Sequence, residues 1–213
     1  MCVMMPLKTE LHCHNIFSNG HVGALEPTYD CNVTIPKQLE QAYLAGLDVL
    51  FVTNHNTVGG YVQMLEYKKN HQKFDTLSVY PAEEVTTNNE SHVLVYGIDH
   101  SIKSGLSLHE VLDEAKKQDA VTIAPHPFSL LDALREDSIY CDLFEAFNSS
   151  NVDVYSNLRA KKFAKEKALH VVAGSDSHVK STIGRSTNLI YSENKLDSII
   201  VAMKHHKITI QNT

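Results

Sequence analysis

A closed or nearly closed α/β barrel of about seven strand–helix units is the fold this chain predicts. Three observations predict it. Short apolar runs rich in β-branched residues alternate with longer amphipathic stretches along the whole length. With 213 residues the chain can form one well-cored domain and is too short for two of ordinary size, so residues 1–213 are read as one domain. No Gly-x-Gly-x-x-Gly opens a helix after the first strand, which weakens the alternative of an open dinucleotide-binding sheet.

The elements follow in order. Lys8–His12 reads as a short strand, and a loop containing Gly and Asn runs on to Thr34. Pro36 opens a helix to Gly46, with Leu39, Ala42, Tyr43 and Leu47 on one stripe. Asp48–Thr53 is nearly continuously apolar, as expected of a parallel strand buried on both faces. A helix over Gly60–His71 follows, then strands at Leu77–Tyr80 and Val93–Tyr96 around a polar turn, Thr86–Ser91. Ser107 and Glu110 form a capping box for a helix to Gln118. Val121–Ala124 is a strand stopped by Pro125 and Pro127. A short helix around Leu130–Leu134, a strand at Asp142–Phe147 and a long helix near Val154–Ala168 come next. His170–Ala173 is a strand and Gly174 turns the chain; Leu196–His205 is the last helix and Lys207–Ile210 a final extended piece.

Hydrophobic content of 43% and charged content of 21% are those of a soluble globular protein. The net charge of −6 argues against a long nucleic-acid partner, because counterion release needs clustered Lys and Arg. A local pocket for one phosphate stays compatible with it. The start, Met1 to Pro6, lacks the features of a signal peptide, and no run approaches the roughly 20 apolar residues that cross a bilayer. Cys2, Cys13, Cys31 and Cys141 show neither zinc-finger spacing nor disulfide density and are read as reduced thiols. A cytoplasmic protein without membrane contact is expected.

Thirteen histidines are more than average composition supplies, and several of them, with two acids, sit in short clusters that each come just after a run reading as a strand. The clusters are His12 and His14 in Leu-His-Cys-His, His55 in Asn-His-Asn, Glu84 in Ala-Glu-Glu, and His92 in Ser-His-Val. His126 in Pro-His-Pro, and Asp176 with His178 in Ser-Asp-Ser-His, complete the set. Neutral imidazole and carboxylate are the donors that first-row divalent metals take, and strand C-termini are where barrels of this type carry active sites. His12 and His14 alternate on one strand and so share a face, which turns Cys13 the other way as a packed thiol. Each cluster has an ordinary alternative when taken alone. His55 could cap a helix, His126 could be an exposed turn imidazole, and Glu83 or Glu84 could be solvated. His21, His71, His100, His109, His170, His205 and His206 lack such context, although His21 follows Ser-Asn-Gly near the first cluster.

In order and spacing these segments resemble the polymerase-and-histidinol-phosphatase, or PHP, domain family. The matching pieces are Leu11-His12-Cys13-His14 with Ser18-Asn19-Gly20, Asn54-His55, Glu84-Val85-Thr86, His92, Pro125-His126-Pro127 and Ser175-Asp176-Ser177-His178. They span about residues 8–210. The resemblance implies a distorted seven-stranded (β/α) barrel, TIM-barrel-like, holding two or three divalent ions of manganese, iron or zinc. By position, His12, His14, Glu84 and Asp176 would hold the first ion, and Glu84 would bridge to a second completed by His92 and His126. His55 and His178 would bind a third. Where the family has aspartates, this chain has Asn19 and Asn54. Either could serve the third site as a ligand or from behind one, with His21 as a substitute.

The implied activity is hydrolysis of phosphate esters, small phosphomonoesters or nucleotides, by hydroxide generated between two ions. Glu84, Asp176 and His178 are the expected catalytic residues, with His178 an acid for the departing oxygen if unligated. Arg159 and Arg185 are candidate phosphate clamps through their forked donors. Partners would be small phosphorylated substrates, including short oligonucleotide ends. Two rival readings are a silent PHP-like scaffold or RNA–protein assembly subunit, and a metal-dependent amidohydrolase. The first should have lost ligands and gained a basic face; the second should carry a bridging lysine where Glu84 stands.

Overall fold

The computed structural model describes residues 5–21 and 29–212, so Cys2 lies outside the described residues. In chain order the main elements are β1 (Leu7–Glu10), α1 (Ile35–Leu44), β2 (Val49–Val52), α2 (Tyr61–Lys69) and β3 (Ser78–Thr86). Next come β4 (His92–Tyr96), α3 (Leu108–Lys117), β5 (Val121–Ala124), β6 (Leu143–Asn148) and α4 (Val154–Lys167). The chain ends with β7 (Val171–Gly174), β8 (Thr187–Ile190), α5 (Leu196–Lys204) and β9 (Ile208–Asn212). The strands form a single sheet in the order β7-β6-β5-β4-β3-β2-β1-β8-β9.

The sheet curls until it almost closes. Cys13, beyond β1, bridges Ser177, beyond β7, and His14 N donates to Ser177 O at 3.0 Å or less. On the far side Asn188 of β8 donates its amide to Ala173 O at 2.7 Å and accepts from Ala173 N at 2.9 Å. The result is a nearly closed, barrel-like α/β sheet of nine strands rather than seven. Of the two additional strands, β9 corresponds to the extended piece expected at Lys207–Ile210, and only β8 escaped sequence reading, for a physical reason. Thr-Asn-Leu-Ile is too short and polar to show a period, and what makes it a strand is pairing with β1 and β9.

Direction along the sheet decides where the site forms. β1, β2 and β3 run parallel, β4 reverses, and β5, β6 and β7 run the first way again. Among these seven strands, one rim therefore collects the C-terminal ends of six and the N-terminal end of β4. His92, the first residue of β4, reaches that rim because its strand runs backwards, so it precedes a strand instead of following one. Glu83 and Glu84 are likewise strand residues within β3, paired with Val95 and Leu94, and not turn acids.

The interior is filled by Leu11, Phe51, Leu94, Tyr96 and Ile123, with Ile199, Ile200 and Met203 of α5 joining the same cluster. α1 and α2 bury Leu39, Ala42 and Met64 with Leu50 and Val52 of β2. α3 and α4 bury Val111, Ala115, Ala160 and Ala164 in a third cluster with Val95 and Phe144. The capping box of α3 forms as expected, Ser107 Oγ accepting from Glu110 N while Glu110 accepts from Ser107 N. The short helix expected at Leu130–Leu134 does not form. Asp132 and Arg135 take φ of 59° and 52°, and Arg135 N donates to Pro127 O, so the segment folds back as a compact loop before a 3-10 turn at Arg135–Tyr140.

Candidate metal centre

The eight expected donors converge. Together with Asp30 they fall into groups whose donor atoms lie within 4.8 Å of one another: His12, His14 and Glu84; His12, His126 and Asp176; His55, Glu84 and His92; and His14, Asp30, His55 and His178. Glu84 is the hub, and its two oxygens divide the imidazoles between them. Oε2 faces His12 Nε2 at 3.4 Å, His14 Nε2 at 3.2 Å and His55 Nδ1 at 3.5 Å. Oε1 faces His92 Nδ1 at 3.1 Å and His126 Nε2 at 3.0 Å. Asp176 Oδ1 lies 3.4 Å from His12 Nε2 and 3.5 Å from His14 Nε2. This preference for Glu84 over Glu83 has a simple cause: the neighbouring carboxylate turns to the other face of β3 and accepts from Ile102 N at 2.5 Å.

The donor set suits divalent cations. His14 Nε2, His55 Nδ1 and His92 Nδ1 are buried, face Glu84 and have no hydrogen-bond partner. Buried polar atoms left unpaired are costly, and convergent ones are the atoms a cation satisfies. Electrostatics agrees. Burial pushes Glu84 and Asp176 upward, but the surrounding imidazoles outweigh it and hold both carboxylates well below their usual range. Burial likewise pushes His12 and His126 down, yet Asp176, Glu145 and Glu84 raise His12, and Glu84 and Asp176 raise His126, above the ordinary value. A field that draws protons onto imidazoles also draws in metal ions. His55 is the exception, depressed to about 3 chiefly by burial.

A second layer fixes the donors, and sequence reading missed most of it. Glu145 of β6 faces His12 Nδ1 with Oε1 at 3.0 Å and accepts from His126 N with Oε2 at 2.6 Å. Asn148, three residues on, donates to Glu145 Oε2 at 2.9 Å and to Asp176 Oδ2 at 3.1 Å. Glu145 orients His12, and hence its tautomer, in the way carboxylates behind metal-bound histidines do. Gly174 matters through close approach: a Cβ there would meet Glu145 Oε1 at 1.8 Å and His12 Cβ at 2.8 Å. His126 and Asp176 hold φ of 29° and 50°, left-handed backbone at two donor positions. The only signal for Glu145 was an acid inside an apolar strand.

The third group needs correction. Asn19 is not a donor: its Oδ1 accepts from Asp30 N at 2.7 Å and Cys31 N at 3.0 Å, while Nδ2 donates to Cys31 O. His21 is exposed and touches Asn56 through its backbone carbonyl, outside the donor groups. Asp30 stands there instead, with Oδ1 3.0 Å from His178 Nε2 and 3.8 Å from His55 Nε2. A lone Asp in a long loop carried no periodic or motif signal. Burial lowers His178, but its hydrogen bond to the Asp30 carboxylate and the charge of Asp176 lift it to about 9. Asn54 acts from behind, accepting from Ser18 Oγ at 3.1 Å, and Ser18 Oγ lies 3.2 Å from His14 Nδ1.

Neither arginine lines the cavity over these donors. Arg159 lines a separate hollow with Phe128, Arg135 and Lys162, because its place on α4 turns it outward. Arg185 is exposed on the turn before β8 and does not line the cavity over the donors. That cavity is about 520 Å³, bordered by His55, His92, His126, Asp176 and His178 and by two loops at Ser129–Asp132 and Ser150–Val152. Cys13, Cys31 and Cys141 are free thiols, with Cys13 facing Phe51 O away from the donors. No helix among the described residues is long and apolar enough to cross a membrane.

A nearly closed, barrel-like α/β sheet of this kind is a fold found in known proteins. The family model described as PHP-associated matches residues 154–208. An uncharacterized protein of Methanocaldococcus jannaschii is 31% identical over 166 residues, covering 75% of this chain and 93% of that protein. Among solved structures, PsfC from Pseudomonas syringae superposes with a TM-score of 0.70 at 18% identity, covering 99% of this chain and 93% of that one. Endonuclease Q, solved with a duplex bearing an abasic lesion, gives 0.60 at 16% identity over 94% of this chain and 57% of that one. A protein from Bifidobacterium adolescentis assigned as a metal-dependent phosphoesterase gives 0.60 at 16% identity, covering 81% of this chain and 88% of that one. The chain belongs to the PHP domain family.

Proposed function

We propose that this protein is a metal-dependent phosphoesterase acting on small phosphate monoesters or nucleotides. The observation that carries the reading is the division of Glu84, one oxygen toward His12, His14 and His55 and the other toward His92 and His126. A carboxylate shared in this way is suited to bridging two cations. In this reading His12, His14, Glu84 and Asp176 hold one ion, and Glu84, His92 and His126 hold the second. His55 and His178 hold a third together with Asp30, whose Oδ2 is buried without a hydrogen-bond partner. Divalent ions supply Lewis acidity toward phosphoryl oxygens and lower the pKa of water. Manganese, iron and zinc all accept this imidazole and carboxylate set.

The chain's own residues do the rest. Glu145 and Asn148 hold His12, His126 and Asp176 in place, so little reorganisation accompanies substrate entry. His178 is one-third exposed at the cavity mouth. When it is not a ligand, its raised affinity for a proton suits it to protonate the departing oxygen. The scaffold reading loses support because all eight expected donors are present and grouped. The amidohydrolase reading loses support because Glu84, and no lysine, occupies the bridging position.

The deciding experiment loads the protein with manganese, confirms bound metal, and assays a panel of phosphomonoesters and short oligonucleotides. Release of phosphate from at least one class is expected. Release from none of them, with metal bound, overturns the reading.

A further inference from the structure

We propose that the mouth of this site selects phosphate monoesters with an uncharged leaving group presenting an apolar face, of aryl or nucleoside kind, over esters bearing a second phosphate. The proposal rests on the phosphoesterase reading and extends it to substrate class.

The first observation is which side chains border the donors. Leu130, Leu131 and Val152 are 66%, 73% and 86% exposed, and all three line the same cavity as His55, His126 and Asp176. Scattered exposed aliphatic residues are ordinary, but three gathered at the entrance to a polar cluster form an apolar collar.

The second observation is that the collar is held in place. Ser129 N donates to His126 O at 2.9 Å, Arg135 N to Pro127 O at 2.8 Å, and His92 N to Asp132 O at 3.1 Å. The loop carrying both leucines is thus tied to two donor-bearing segments. Across the mouth, Ser150 Oγ donates to Ser175 O and Asp176 O, each at 2.8 Å, which ties the Val152 loop to a third. Apolar groups fixed at a set distance from the reacting centre are positioned to bind the part of a substrate that follows the phosphate.

The third observation is charge. No Lys or Arg lines the cavity among the described residues, whereas Asp30 and Asp132 do. A second phosphate would therefore leave water for a rim where the described residues offer Asp30 and Asp132 but no Lys or Arg, and where the charged imidazole of His178 is already paired with Asp30 at 3.0 Å, at a cost its contacts do not offset. In the reaction, water adds to phosphorus as the P–O bond to the leaving group breaks. One water proton ends on the released alcohol or phenol oxygen, giving R–OH and inorganic phosphate.

The test measures kcat/KM with manganese-loaded protein for 4-nitrophenyl phosphate, a nucleoside 5′-monophosphate and a sugar bisphosphate. Inhibition by inorganic phosphate and metal content are followed in parallel. Esters of uncharged leaving groups are expected to exceed the bisphosphate by roughly tenfold or more. Leu131→Ser and Val152→Ser should each lower kcat/KM for the aryl or nucleoside ester roughly tenfold, with phosphate inhibition and metal content unchanged. Equal or better turnover of the bisphosphate overturns the proposal. So does an equal loss on every ester, or a loss of self-association in place of a loss of turnover, which would assign the collar to a second copy. Absence of all hydrolysis, by contrast, overturns the phosphoesterase reading itself, so the two failures are distinguishable.

Discussion

Single residues decide how many ions this site can hold. Glu84→Gln keeps the shape and removes the charge that both imidazole sets face. It is expected to lower the count of bound metals per chain and to abolish most turnover; an unchanged count with full activity would reassign the bridge. Asp30→Asn should remove one metal per chain while the ions around Glu84 stay, as read by elemental analysis. The directions of the imidazole shifts give a pH dependence. His12, His126 and His178 are raised above the ordinary imidazole value, so each holds a proton more tightly than a free histidine does, and an incoming cation competes with that proton. Metal affinity should thus climb with pH through the neutral range and release protons, whereas His55, held at about 3, contributes none. Titration calorimetry in buffers of differing ionisation enthalpy reads this directly.

At the scale of elements, the question is what keeps the strands in register behind the donors. Tyr96 of β4 reaches across the interior and donates its hydroxyl to Leu11 O at 2.6 Å, next to His12. Tyr96→Phe leaves that buried carbonyl short of a donor and should cost about 1–3 kcal/mol in urea unfolding. Gly174 ends β7 where Glu145 and His12 crowd it, so Gly174→Ala should destabilise the fold by about 1–3 kcal/mol. It should also weaken metal binding, since relief of the clash moves Glu145 or His12. A control comes from α3: Ser107→Ala removes a cap worth about 1 kcal/mol and should leave metal content untouched. Elements with a strong local signal, such as this capped helix and the apolar Val-Leu-Phe-Val of β2, were legible in advance. Those lacking one, such as β8 and the loop at Leu130–Leu134, were not, because pairing and backbone reversal formed them.

For the whole molecule, the donors come from chain positions 12 to 178 and meet only because the sheet curls. Binding and folding are therefore linked, since each ion favours the closed arrangement over any unfolded one. Chelation of the loaded protein is expected to lower Tm by roughly 5 °C or more at metal concentrations well above Kd. An identical Tm with and without metal, in a protein shown to bind it, would deny that linkage. At the site entrance Asp30 and Asp132 line the cavity, and no Lys or Arg does so among the described residues. Neither arginine read from sequence as a clamp is among its lining residues.

Residue type and spacing alone were enough for an α/β barrel-like fold and for singling out the eight side chains that gather on one rim. Imidazoles and acids near strand ends reveal themselves through local pattern, and strand ends meet in any curled sheet. Folding in three dimensions decided the rest: the placement of Asp30, the role of Glu145, the reversal that brings His92 to the rim and the apolar collar at the mouth. Those depend on contacts between residues distant in the chain, and such contacts leave no period or motif in a single sequence.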